Sequence, residues 1–283
     1  MTQALYLIDT MYLLFKSFYA LGKRASLTSP DGLPTGALYG LRKSLDTMRQ
    51  HFPMRYGVCV FDSEKPVFRC QLSPQYKANR PPVDPDLKRQ IPYALQLCQA
   101  LGYPIAHAEG FEADDVIATI TRQALGQGWS VRIVSKDKDL AQLLDLQGDV
   151  AQVMLEGQKE TLYLDRLNCQ EKYGVPARLI RDWLALMGDS SDNIIGLRGV
   201  GPKTAAALLN RCGSLEALLQ NPASAGRFAQ ALQENRAQLE LNRCLTSLDH
   251  EAPLPWKLES LETFTINPPT EIPTLFASLG FKL

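Results

Sequence analysis

This 283-residue sequence predicts an α/β fold built on a parallel sheet, followed by a mostly helical C-terminal region. Three observations support that reading. Short apolar runs suited to buried parallel strands alternate with helical patterns up to about residue 165. The first two of these runs each end at an aspartate, which is the edge where open parallel sheets build their sites. Beyond them strands become rare, and glycine turns lead into helices rich in alanine and leucine.

Ala4-Leu5-Tyr6-Leu7-Ile8 is the first strand and ends at Asp9; a helical pattern follows, with Leu13, Leu14, Phe18 and Leu21 on one side and Lys16 among them. Gly36 to Met48 reads as a second helix, and Tyr56 to Phe61 as the second strand, ending at Asp62. From Glu64 to Pro92 the composition shifts. Pro66, Pro74, Pro81, Pro82, Pro85 and Pro92 interrupt any long regular element. Lys65, Arg69, Lys77, Arg80, Lys88 and Arg89 outnumber Glu64, Asp84 and Asp86. A long basic loop beside a carboxylate crevice suits phosphates, and Tyr76 next to Lys77 offers a surface on which a base could stack.

Glu112, Asp114 and Asp115 open the next helix, whose buried face is Ala113, Ile117, Ile120 and Ala124. Acids are favoured in a first turn by unpaired N–H groups and the helix dipole. Val131 to Ser135 is the third strand; Asp137 and Asp139 follow it on one side of an extended segment, and Leu140 to Leu144 continues as a helix capped by Asp139. Gln152 to Leu164, turning at Glu156-Gly157, predicts an edge hairpin. Arg178 to Met187 is a helix stopped by Gly188, with Asp189 and Asp192 just beyond. Gly199 and Gly201 precede Lys203 and Thr204 at a helix start, so exposed amides and a cation together suit a phosphate. Ser214 caps a further short helix, and the tail from Ala223 to Leu283 carries no readable chemistry.

Nine acids stand at equivalent places: Asp9, Asp62, Glu112, Asp114, Asp115, Asp137, Asp139, Asp189 and Asp192. Two like charges about 4 Å apart repel by roughly 4 kcal/mol at an effective dielectric near ~20. Several such pairs would consume much of a domain's stability of about 5–15 kcal/mol. Hard divalent cations resolve the conflict, and oxygen-only ligation selects Mg²⁺ or Mn²⁺ over zinc. Composition agrees. The formal charge is zero, but with these nine set aside 21 acids face 30 basic residues, leaving a surface of +9. Neither a membrane span nor a signal peptide is predicted. Cys59, Cys70, Cys98, Cys169, Cys212 and Cys244 show no CxxC pairing and read as reduced thiols of a cytoplasmic protein. His51, His107 and His250 are isolated and receive no role.

The ordered set Leu7-Ile8-Asp9, Val60-Phe61-Asp62, Tyr76 to Arg80, Gly110 to Asp115, Ser135 to Asp139, Gly188 to Asn193 and Gly199 to Thr204 closely resembles the bacterial 5′–3′ exonuclease/flap endonuclease family. That family includes the 5′-nuclease domain of DNA polymerase I. The resemblance covers nearly the whole chain. It implies a PIN-like nuclease core over residues 1–177 with a flexible arch at about 64–92. It further implies a helical DNA-binding region over 178–283, with a helix–three-turn–helix motif at about 188–210. Two Mg²⁺ ions are implied, with Asp9, Asp62, Glu112, Asp114 and Asp115 nearer one and Asp137, Asp139, Asp189 and Asp192 serving the second. Lys77 and Arg80 match arch residues at the scissile phosphate; Lys16, Arg69 and Tyr76 are expected at the DNA. Gly199, Gly201, Lys203 and Thr204 match the hairpin that grips the duplex backbone, where K⁺ is also expected. Thr10 stands where the family often has Gly, and Lys16 where it often has Arg; neither removes a ligand. The implied partner is DNA with 5′ flaps, nicks or free 5′ ends, bound by a stand-alone monomer. A non-catalytic junction-binding module would have lost carboxylates, and all nine are present. An RNA-directed PIN-type ribonuclease would need only a few of them and no helix–hairpin region.

Overall fold

The computed structural model describes residues 4–21, 27–63, 67–156, 159–254, 256–270 and 272–281. Glu64, Lys65 and Pro66 of the expected arch and Gly157 of the expected hairpin turn lie outside them.

The central sheet holds β1 (Ala4–Asp9), β2 (Tyr56–Val60), β3 (Ile105–Ala106), β4 (Ser130–Val134), β5 (Val150–Glu156) and β6 (Lys159–Leu164), in the order β3-β2-β1-β4-β5-β6. The first five run parallel and β6 closes the edge antiparallel. The expected alternation of strand and helix is thus present. The two-residue β3, too short to leave a pattern, is an addition. Alternate strand residues enter two different cores, as the pleat requires. Leu5, Leu7, Val58, Val60, Val131 and Ile133 face one; Tyr6, Ile8, Cys59 and Val134 face the other. Each such fully buried aliphatic side chain contributes roughly 1.5–3 kcal/mol.

Helices α1 (Thr10–Leu21), α2 (Gly36–His51), α3 (Phe68–Leu72), α4 (Pro85–Lys88), α5 (Ile91–Ala100) and α6 (Ala113–Gly126) precede β4. After the sheet come α7 (Cys169–Tyr173), α8 (Ile180–Met187), α9 (Pro202–Cys212), α10 (Leu215–Gln220), α11 (Ala229–Glu234), α12 (Arg236–Thr246) and α13 (Ile272–Ser278). Helix α6 covers one face of the sheet together with α8, α9 and α10; α1, α2, α5 and α13 cover the other. Leu140 to Leu144 lies in a 3₁₀ helix, Asp139–Asp145, rather than an α-helix; its partly exposed residues Asp139, Gln142 and Asp145 recur every three positions, the 3₁₀ period.

The tail does more than the sequence suggests. Ile266 N–H donates to Arg55 O at 3.1 Å and Asn267 N–H to Gly102 O at 2.9 Å, bringing the chain back to the β2 side. There Phe276, Leu279 and Phe281 join the core beneath α2, with the Arg42 guanidinium 4.1 Å from the Phe276 ring centre.

The register aligns Asp9 with Val60 and Ile8 with Val134. Asp9, Asp62 and Ser135 therefore emerge at one edge, where the strand order reverses between β1 and β4.

Candidate metal centre and nucleic-acid interface

Four carboxylates share the strand-end side of a cleft of about 380 Å³: Asp9, Asp62, Asp114 and Asp137. Their hydrogen-bond donors are neutral. Asp9 accepts from Tyr12 N–H at 2.9 Å and from the Ser135 hydroxyl at 2.8 Å. Asp62 accepts from Ala113 N–H at 2.8 Å, at the start of α6, and Asp137 from Asp139 N–H at 2.9 Å. Burial pushes Asp9 up to about 7, and the charges of Asp62 and Asp137 add to it. Asp114 is pushed well above the usual carboxylate range by burial, then by Asp137, Asp9, Asp139 and Glu112. Among the described residues no cation bonds these four acids directly; Lys77 and Arg80 act on Asp62 only through space.

A second group of acids sits on a loop tied by a small hairpin, β7 (Gly188–Asp189) on β8 (Ile194–Ile195). Its strands meet so closely that a Cβ on Gly196 would lie 2.1 Å from the Met187 carbonyl carbon, which requires glycine. The Asp189 Oδ1 accepts from Ser191 N–H at 2.9 Å and from its hydroxyl at 2.6 Å, while Oδ2 pairs with Lys138 Nζ at 2.7 Å. Burial opposes ionisation there, but the Lys138 and Ser191 bonds outweigh it and hold Asp189 below its ordinary range. The Asp192 Oδ1 accepts from Arg80 at 2.6 Å and Oδ2 from the Tyr76 hydroxyl at 3.1 Å. Glu112 joins the two groups through shared partners: Oε1 pairs with Lys77 Nζ, and Oε2 accepts from Tyr76 at 2.8 Å.

The donors fit a hard divalent ion. One oxygen each from Asp139, Asp189 and Asp192 lies within 4.8 Å of the others. The Asp139 Oδ1 is buried without any hydrogen-bond partner, a cost of about 1–3 kcal/mol that a cation would remove. All the groups are carboxylate oxygens, as Mg²⁺ or Mn²⁺ prefers.

Three expectations are corrected by the structure. Asp115 is fully buried, and its oxygens accept from Arg69 twice at 2.7 Å, from Asp249 N–H at 2.8 Å and from Glu112 N–H at 3.2 Å. No lone pair remains for a metal, so it anchors α6 instead. Arg69, expected at the DNA, is 2% exposed and also donates to the carbonyls of Leu245 and Ser247, joining α3 to the tail. Tyr76, expected to stack on a base, is 5% exposed and spends its hydroxyl on Glu112 and Asp192.

Of the other expected residues, Lys16 is exposed at the cleft rim and Lys77 and Arg80 line it. Gly199 has φ 79°, while Gly201 is extended and caps α9; both are exposed, as is Lys203, with Thr204 half-buried. A Cβ on Gly201 would meet nothing within 4 Å, so its backbone side is open. Sequence reasoning missed Ser135, Lys138 and Gln152. The last is fully buried and donates to Asp137 O at 2.7 Å; a lone amide in an apolar strand was its signal.

A model of the 5′-3′ exonuclease N-terminal resolvase-like domain matches residues 4–174, and one of the 5′-3′ exonuclease C-terminal SAM fold matches residues 175–269. A 5′-3′ exonuclease of Aquifex aeolicus is 36% identical over 251 residues, covering 88% of this chain and 84% of that protein. DNA polymerase I of Pseudomonas aeruginosa is 38% identical over 271 residues, covering 92% of this chain, which spans only 29% of that polymerase. Among solved structures, zinc-bound T5 5′-exonuclease superposes with a TM-score of 0.71 at 23% identity, covering 87% of this chain and 90% of that one. The T5 flap endonuclease in a complex with DNA and metal ions gives 0.70 at 22% identity, covering 87% and 89%. These superpositions share the PIN-like α/β fold and its helical extension. With both halves matched in order and a full-length relative above one-third identity, the chain belongs to the 5′–3′ exonuclease family.

Proposed function

We propose that this chain is a structure-specific 5′–3′ exonuclease and flap endonuclease, hydrolysing DNA phosphodiester bonds near free 5′ ends, nicks or flap junctions. The observation that carries the reading is the cleft itself. Acids from four separate chain segments line it with Lys77 and Arg80, and beyond Asp137 a second group, Asp139, Asp189 and Asp192, holds an orphaned buried oxygen on Asp139.

In this reading residues 1–177 form the nuclease core, and 178–283 supply the duplex contact together with the acids Asp189 and Asp192. Asp9, Asp62, Glu112 and Asp114 hold one Mg²⁺, and Asp137, Asp139, Asp189 and Asp192 a second; Mn²⁺ substitutes. Bound there, such a pair supplies an activated water and neutralises charge on the attacking and leaving oxygens. Lys77 and Arg80 orient the scissile phosphate, and Lys16 guides the strand at the rim. The exposed amides around Gly199 and Gly201, with Lys203 and Thr204, hold a backbone phosphate of the duplex, where K⁺ also binds. The protein acts as a monomer. We assign it to the cytoplasm, where its free thiols stay reduced; no described helix is long and apolar enough to cross a membrane.

The test is cleavage of end-labelled 5′-flap, nicked, single-stranded and RNA substrates with Mg²⁺, Mn²⁺ and excess chelator. Cutting of 5′-flap DNA only with metal is expected. Full activity in chelator, or preference for RNA, would overturn the reading.

A further inference from the structure

The stretch Gln75 to Arg80 does not simply lie over the cleft; it is bonded to the loop that carries Asp189 and Asp192. Lys77 N–H donates to Asp192 O at 2.9 Å, the Asn79 amide to Ser190 O at 2.8 Å, and Arg80 Nε to Ser191 O at 3.0 Å. One bond runs the other way, from the Asn193 amide to Gln75 O at 2.7 Å. Among the described residues, the non-glycine residues with positive φ are Lys77 at 56° and Asn193 at 57°. They stand on opposite sides of this seam. The left-handed region is unfavourable for most side chains and tolerated best by asparagine, and non-glycine residues persist there when their surroundings over-determine them.

Asn193 is bonded to the arch stretch and follows Asp192 directly. We propose that Asn193 is a positioning residue for the cleavage reaction. Its left-handed turn aims Asp192 at Asp139 and Asp189, and its amide clamps that turn to Gln75, so the carboxylate and the cations Lys77 and Arg80 hold one register. The proposal rests on the nuclease reading above, because that chemistry is what requires ligands and phosphate-binding cations to keep a fixed spacing.

The test uses the full chain with Asn193→Ala, Asn193→Gly and Asn79→Ala. Three readouts are taken: Mn²⁺ affinity by electron paramagnetic resonance, flap-DNA affinity in Ca²⁺, and single-turnover cleavage at saturating DNA. Residues that orient metal ligands typically cost about 10–100-fold in metal affinity or activity when removed. Asn193→Ala is expected to lose about that factor in Mn²⁺ affinity and in cleavage rate, with DNA affinity within about twofold of wild type. Asn193→Gly, which keeps the turn but loses the amide, should fall between, and Asn79→Ala should show a smaller loss of the same kind. Wild-type Mn²⁺ affinity in Asn193→Ala overturns the proposal. So does an Asn193→Ala defect that only tracks thermal unfolding while folded Asn193→Gly behaves as wild type. If the wild-type protein cut no 5′-ended DNA, the nuclease reading would fall, yet the Mn²⁺ titrations would still decide the positioning role.

Discussion

Asp114 and Asp115 are chain neighbours in the first turn of α6, and they live in opposite electrostatic worlds. Asp114 faces the cleft, where Asp137, Asp9, Asp139 and Glu112 surround it with like charge. Asp115 faces inward, paired through both oxygens with Arg69 at 2.7 Å. Adjacent helical positions differ by about 100° around the axis, so one step carries a side chain from a site to a scaffold. The difference separates charge that the protein neutralises itself from charge that it leaves to a cation. The first kind holds the molecule together, and the second gives it affinity for an ion.

Five substitutions would break or sharpen that contrast. The largest effect belongs to Asp114→Asn. Single-turnover cleavage in Mg²⁺ should fall by at least about 10³-fold, because a catalytic ion supplies several kcal/mol of charge stabilisation. The metal-free melting temperature should stay level or rise, since a repulsive charge has gone. A clear drop in that temperature would place Asp114 with the scaffold. Arg69→Met is the converse: it strands a buried Asp115, and breaking such a pair costs about 3–5 kcal/mol. Urea unfolding measures this, and a loss under about 1 kcal/mol, the range of an exposed pair, would contradict the anchor.

Lys77→Ala should cost about 2.7–4 kcal/mol in the cleavage step, or roughly 10²–10³ in rate, as expected for a preorganised charge contact. Exposed Lys88→Ala should alter mainly salt-sensitive affinity. Equal slowing by both at saturating flap DNA would reduce the arch to a basic surface. The smallest effect is that of Lys203→Ala, which should lower the salt slope of duplex binding by about one unit without touching the step itself. An unchanged slope would leave Lys203 a solvated helix-end charge.

The fold class and the cleft's position were legible because their signals are local. Apolar runs ending in Asp9 and Asp62 mark parallel strands and the sheet edge at once. Arg69 was misread because its loop is basic, whereas its partner lies 46 residues away and further acceptors come from Leu245 and Ser247. Tyr76 beside Lys77 suggested stacking, but two carboxylates from other segments claim its hydroxyl. Nor could pattern reveal β3, β7 and β8, whose two residues each are too few to set a period. Ligand identity was readable from residue type, while which acid turns toward the cleft depends on contacts made across the chain.

The returning tail has a consequence for how the molecule comes into being. Arg49, near the end of α2, bonds to Asn267 across a separation of 218 residues, and Phe276 reaches the core beneath the same helix. At synthesis rates of about 5–20 residues per second, that interval lasts on the order of 10–40 s. During it the apolar underside of α2 awaits its last cover, an opening for chaperones and for self-association. Renaturation of the whole chain should likewise be paced by this late closure, because contacts so distant in sequence cost loop entropy before they return any stability.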